Sequence, residues 1–234
     1  MKKGLLPISL VAAALISCAG SAPAQYSMPP GSPEEVEATY TTAIENRTAA
    51  IMKSLNLTNA DKATRVHDII IAQYRTLKAR DAAIDALLKL EGKEPTYSNR
   101  AHLLDSESKP LHDQFLAKLA IELTPEQVDI VKDKMTYNKV QVTYDAYCSI
   151  FSGLTDADKA EILAKLKLAR EEAVDAGSAG EKSAMFQKYK EQINDYLTAR
   201  GHDVAKAYKD WDAKQQAANK SPDESHPNET QPVK

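Results

Sequence analysis

The chain has 234 residues, 43% hydrophobic and 27% charged, with 8 glycines and 11 prolines, a balance that excludes collagen-like and wholly disordered classes. Its formal charge is −3, falling to −5 if Lys2 and Lys3 leave with the leader considered next. A mildly acidic body without a basic stripe excludes nucleic acid as a partner, since phosphate backbones demand clustered Lys and Arg.

Lys2 and Lys3, the apolar run Leu5 to Ile16 and the small residues Ser17 to Ala24 have the three-part layout of a secretory signal. The apolar run is too short to span a bilayer comfortably. Two cleavage schemes fit. Ala22-Pro23-Ala24 is a small-x-small site that gives a signal over residues 1–24. Leu15-Ile16-Ser17-Cys18 fits a lipobox, which gives a signal over 1–17 and an acyl chain on Cys18. Both place the protein outside the cytoplasm, in the periplasm or beyond, with an outer-membrane lipoprotein as the second form and that anchor as its only membrane contact. About 210 residues remain, enough for one core without disulfides or a metal. Cys148 is then a single thiol among apolar neighbours, expected to be buried and inert.

Residues 25–33 carry Pro29, Pro30, Gly31 and Pro33 and read as a linker ending in a Ser32-Pro33 helix start. From there to 214 the period is helical. Val66, Ile70, Tyr74, Leu77, Ile84, Leu87 and Leu88 recur at three and four residues, as do Ile162, Leu166, Ala169 and Ala173. Three Leu-Thr phrases, at Leu57-Thr58, Leu123-Thr124 and Leu154-Thr155, offer threonine N-caps with a polar residue three positions on. Gly92, Gly153, Gly177, Gly180 and Gly201 fall between periodic segments. The predicted fold is all-α, a multi-helix bundle forming one domain over 34–214. Its helices lie near 34–54, 58–90, 101–120, 124–135, 155–176, 181–199 and 202–214. The exception is a short aromatic-rich segment over 135–151, where Thr136, Val140, Val142 and Thr143 are β-branched and the period is irregular. Residues 215–234, with three prolines and almost no large apolar side chain, are expected to be a disordered tail.

Catalytic motifs are scarce. The chain has no G-x-S-x-G and no phosphate-binding glycine loop, and Gly177-Ser178-Ala179-Gly180 reads as a turn. His67, His102, His112, His202 and His226 make no H-E-x-x-H and no close pair, so neither a metal site nor a cofactor is expected. His67 reads as solvated. Among 33 acidic residues some pair is always near another, and Glu171-Glu172 and Asp156-Asp158 read as a solvated face and a dipole-favoured first turn.

Carbohydrate recognition needs flat aromatic faces beside carboxylates or amides that take paired hydroxyls. Tyr137, Asn138, Tyr144, Asp145 and Tyr147 supply both within eleven residues, and Trp211 is the single tryptophan. A packed core accounts for the same tyrosines, and a docking role for the last helix accounts for Trp211, following Val204 and Tyr208.

Leu123-Thr124-Pro125-Glu126-Gln127-Val128, Met135-Thr136-Tyr137, Val142-Thr143-Tyr144, Ala169-Arg170-Glu171, Asp175-Ala176-Gly177-Ser178 and Ile193-Asn194-Asp195-Tyr196-Leu197 together resemble one family. It is an exported bacterial family of unknown function, catalogued under sugar binding and found mainly in polysaccharide-degrading bacteria. The resemblance runs from about Ala43 to Trp211 and includes Arg65 to Ile70 and Gln73-Tyr74. It implies export and a glycan or oligosaccharide ligand, and it carries no catalytic set. Members favour glycine around the Met-Thr-Tyr phrase, where this chain has Lys134 and Asn138. Asn tolerates positive φ better than most residues. The expectation is an exported, non-catalytic glycan-binding or glycan-utilisation accessory protein with its site at Tyr137, Asn138, Tyr144, Asp145, Tyr147 and Trp211. The alternative is a periplasmic helical chaperone or stress-sensing envelope protein. A polysaccharide lyase or hydrolase comes third.

Overall fold

A computed structural model describes residues 31–219. The leader, Cys18 and most of the expected linker and tail lie outside the described residues. The chain divides into two units between Tyr40 and Thr41. In the first, Ser32 and Glu35 exchange backbone and side-chain hydrogen bonds, a reciprocal cap that starts α1 (Pro33–Leu55) where Ser32-Pro33 predicts.

The second unit continues α1 and adds α2 (Ala60–Leu90), α3 (Tyr97–Glu122), α4 (Pro125–Met135), α5 (Lys139–Ile150), α6 (Asp156–Ala173), α7 (Ala179–Ala199) and α8 (Val204–Asn219). The described residues include no strand, so the all-α expectation holds. Val66, Ile70, Leu77, Ile84 and Leu88 form the buried stripe of α2, while Leu87 is 43% exposed. α2 packs on α3, α5 on α6, α6 along α7, and α8 against both α5 and α7. The core of the last four helices joins Val140, Tyr147 and Phe151 to Ile162, Leu166, Phe186, Ile193 and Leu197.

Thr124 and Thr155 make full capping boxes with Gln127 and Asp158. Thr58 does not cap α2. Asn59, one residue later, has the extended backbone of an N-cap and its side-chain oxygen accepts the Lys62 N–H. Gly180 lies inside the first turn of α7 rather than before it, Ser178 providing the cap. α3 begins at Tyr97, earlier than 101, through a Thr96 cap, and tolerates Pro110 in its interior at the loss of one backbone hydrogen bond. α8 runs to Asn219, five residues into the expected tail.

The irregular segment proves to be mostly helix. Val140, Thr143 and Tyr147 are buried at three- and four-residue spacing, and packing on α6 overrides the weak helix propensity of their β-branched neighbours. Irregularity is confined to the α4–α5 turn, where Tyr137 (φ 59°) and Asn138 (φ 53°) are left-handed. Asn138 donates its backbone N–H to the Asp133 carbonyl at 2.7 Å. Cys148, on α5, is only half-buried.

Candidate functional site

Two places concentrate polar side chains. The first is a charged network joining α2, α3, α6 and α7. His112 Nδ1 on α3 lies 2.6 Å from Asp175 Oδ2, and Gln73 Nε2 donates to Asp175 Oδ1 at 3.2 Å. Arg80 donates to the Asp175 carbonyl, to Asp81 and to Ser108. Arg100 meets Glu181 at 2.5 Å and Asp85 at 3.0 Å, though its Nε is misaligned for a hydrogen bond to Asp85. The Lys182 ammonium donates to the Ala173 and Val174 carbonyls and so closes the end of α6. Burial pushes Lys182 down to about 8, and the Asp175 hydrogen bond raises His112 above the ordinary histidine value. Gly177 belongs to this network through what it lacks, since a Cβ there would stand 1.6 Å from Asp81 Oδ2.

The solvated reading of Glu171-Glu172 fits Glu172, which is exposed, and misses the partners of half-buried Glu171. Glu171 takes Lys132 and Arg170, and Glu172 accepts from Lys188 and, at 2.6 Å, from Tyr189. His67 likewise bridges Glu45 and Asp68 at 3.0 Å each rather than standing free. These groups spend hydrogen bonds on one another and tie helices together while Glu172, Glu45 and Asp68 stay exposed to solvent.

The second place is a cavity of about 240 Å³ between the end of α5 with the turn after it (149–153) and the turn before α8 with the first turns of that helix (202–214). It is smaller than the roughly 300–1,000 Å³ of drug-sized ligand pockets, so it suits one small ring or the end of a chain. Phe151 and Trp211 give aromatic lining, and His202, Asp203, Lys206 and Lys214 give polar lining. Phe151 stacks on Tyr147 at 5.9 Å and meets His202 and Tyr208 edge-on at 6.2 and 5.9 Å, so its ring is fixed from three sides.

Asp158 holds this cavity in shape. At 1% exposure it accepts the Thr155 backbone N–H and hydroxyl in the α5–α6 connection, and Tyr196, Arg200 and His202 from the α7–α8 end. The Thr155 hydrogen bonds hold its carboxyl well below the usual carboxylate range. The dipole-favoured reading of Asp156-Asp158 fits Asp156, which is exposed, and misses this buried role of Asp158.

Of the sequence-derived site residues, only Trp211 lines the cavity, where it is half-buried. Tyr147 is a core residue, 2% exposed, its hydroxyl donating to the Lys190 carbonyl and Asn194 Oδ1. Its burial follows from its position on the α6-facing stripe of α5, and it offers no ring face to a ligand. Tyr144 is half-buried and packs on the same core. Asp145 is exposed and accepts from Gln141 at 2.7 Å, while Tyr137 (41% exposed) and Asn138 lie at the opposite end of α5 from the cavity. Along twelve helical residues that separation is about 16 Å. His202, Phe151 and Lys214 were missed as site residues. Their one sequence signal is the Val204–Tyr208–Trp211 spacing, which sets Trp211 on the inward side of α8. Among the described residues, no group of three or more His, Cys, Asp or Glu is placed to hold a metal ion. None of the described helices is long and apolar enough to cross a membrane.

The model of a family described as a protein of unknown function, DUF3826, matches residues 41–217. The chain belongs to this family. No curated protein matches it. In this DUF3826 chain the phrases that carry the resemblance divide between the two places. Arg170, Glu171, Asp175 and Gly177 build the charged network, and Asn194 and Tyr196 support the cavity through Tyr147 and Asp158.

Proposed function

We propose that this protein is exported and acts as a non-catalytic glycan-binding accessory, with the cavity at Phe151, His202 and Trp211 as its seat. The observation that carries the reading is a half-buried tryptophan lining an open cavity with fixed aromatic and polar neighbours, the arrangement in which one ring face meets sugar C–H groups. Export rests on the leader pattern of residues 1–24. The seat is moved from the tyrosines of α5, because Tyr147 is spent in the core and Asn138 lies a helix length away.

The test is a glycan-array screen of the mature chain and of Trp211→Ala, with a reducing-sugar release assay on every hit. Binding that falls about 30-fold or more in Trp211→Ala, the loss of one buried aromatic anchor, without sugar release, supports the reading. Binding untouched by Trp211→Ala refutes the seat. Silence across plant and host glycans from a folded protein refutes glycan binding and turns attention to an envelope helper acting on proteins. Release of sugar refutes the non-catalytic part.

A further inference from the structure

We infer that the cavity selects an acidic sugar, one carrying a carboxylate or sulfate, through the ammonium groups of Lys214 and Lys206; this rests on the glycan reading above. The argument is one of vacant valences. A neutral sugar is held by side chains whose paired oxygens or N–H groups take two adjacent hydroxyls, and the cavity lining contains no Asn, Gln, Glu or Arg. Its two carboxylates are each already engaged through one oxygen. Asp203 Oδ1 accepts the Lys206 backbone N–H at 3.0 Å, capping the first turn of α8, and Asp210 Oδ2 accepts from the Lys206 ammonium one turn back. His202 Nε2 faces Asp158, 3.3 Å away.

The lining balances two carboxylates, Asp203 and Asp210, against two ammonium groups, Lys206 and Lys214, so the preference is set by which of these charges is left unpaired. Lys214 lines the cavity and, among the described residues, makes no ion pair or hydrogen bond. Lys206, Lys209 and Lys214 surround Asp210 and hold its carboxyl low, the Lys206 hydrogen bond leading. An anion entering beside Trp211 meets Lys214 directly, and Lys206, linked to Asp210 on an exposed face, can turn toward it by rotation of its own side chain. The aromatic face then takes the ring and the ammonium groups take the charge. Charge-assisted hydrogen bonds to a carboxylate or sulfate are about twice as strong as neutral ones, enough to set the preference.

The experiment titrates the mature chain with galacturonate oligomers, sulfated galactose oligomers and uncharged galactose oligomers of equal length, by calorimetry. The same series is run on Lys214→Ala, Lys214→Arg and Trp211→Ala, each checked for native helicity by circular dichroism. The expected result is binding of an acidic series at least about tenfold tighter than the neutral one. Lys214→Ala should lose about tenfold for the acidic ligand alone, Lys214→Arg should restore most of it, and raising NaCl from about 0.05 to about 0.5 M should weaken it. Which of the two acidic series binds distinguishes carboxylate from sulfate. Neutral oligomers bound as tightly as acidic ones, with Trp211 required and Lys214 not, would overturn the inference and leave the glycan reading standing. No binding of any series to the folded chain would overturn both.

Discussion

Gly177→Ala should destabilise the protein although nothing about the backbone requires glycine there, since Gly177 is not among the positive-φ glycines. The added methyl would stand 1.6 Å from Asp81 Oδ2 and 2.7 Å from its Cγ, so the carboxylate must leave. Leaving is not free. Asp81 Oδ1 accepts from Arg80 Nε at 3.1 Å and Nη2 at 2.8 Å, and Arg80 is 8% exposed. Arg80 keeps Ser108 and the Asp175 carbonyl, so the substitution strips one carboxylate contact rather than orphaning the cation. A hydrogen bond to a charged group contributes about 1.5–3 kcal/mol, and restricting the unfolded chain with alanine returns roughly 0.4–1. The net loss should be about 0.5–2.5 kcal/mol, a fall of roughly 1–10 °C in Tm for a domain of this size. Urea unfolding followed by far-ultraviolet circular dichroism measures it, with Asp81→Ser and the double variant completing a cycle. On the Asp81→Ser background the alanine should cost less than about 0.5 kcal/mol, because the clash is gone. A full cost there, or a single variant indistinguishable from the parent, would refute the account.

Four further outcomes are expected. The His112 pKa is raised in the fold, chiefly by Asp175, so protonated His112 stabilises the protein fully below the unfolded value near 6.5, and this is lost as pH rises through the higher folded value. Urea midpoints measured from about pH 5.5 to 7.5 should therefore decline more steeply for the parent than for His112→Gln; parallel slopes would exclude His112 as the source. Lys182, lowered to about 8, acts the opposite way at higher pH, where stability should climb from about 8 toward the ordinary lysine value and Lys182→Met should flatten the rise. Thr155→Ala removes a capping box and should cost about 1–2 kcal/mol in thermal or urea unfolding. Tyr137→Gly relieves a bulky residue at φ 59° and should stabilise by up to about 1 kcal/mol in urea unfolding, and a loss of stability would refute the strain account.

The helices were legible wherever apolar residues marked one face. Ile162, Leu166, Ala169 and Ala173 are all buried, and Thr124 and Thr155 cap as their spacing says. α5 was harder because its inward stripe includes Thr143, a polar residue that hides the period, and because tertiary packing overrides propensity. The cavity was illegible for a different reason. Phe151 and Trp211 are sixty residues apart in sequence, and only the packing of α8 on α5 brings them to one wall. Exposure was the other blind spot. Glu171 and Asp158 look like ordinary first-turn or surface acids until Lys132 arrives from α4 and Arg200 and His202 from the α7–α8 turn, and no local pattern announces partners that distant.

Asp158 fastens both banks of the cavity, Thr155 on one side and His202 with Arg200 on the other, so the gap between them is a dimension of the fold and not of its occupant. Under the glycan reading proposed above, such a berth would order little on filling, and entry should behave like docking into a fixed socket, with association governed by diffusion and fit. It also ties the two banks together over evolutionary time. A change at the α7–α8 turn that lengthens or shortens the reach to Asp158 alters the width at Phe151 as well, and the two must drift in step or not at all.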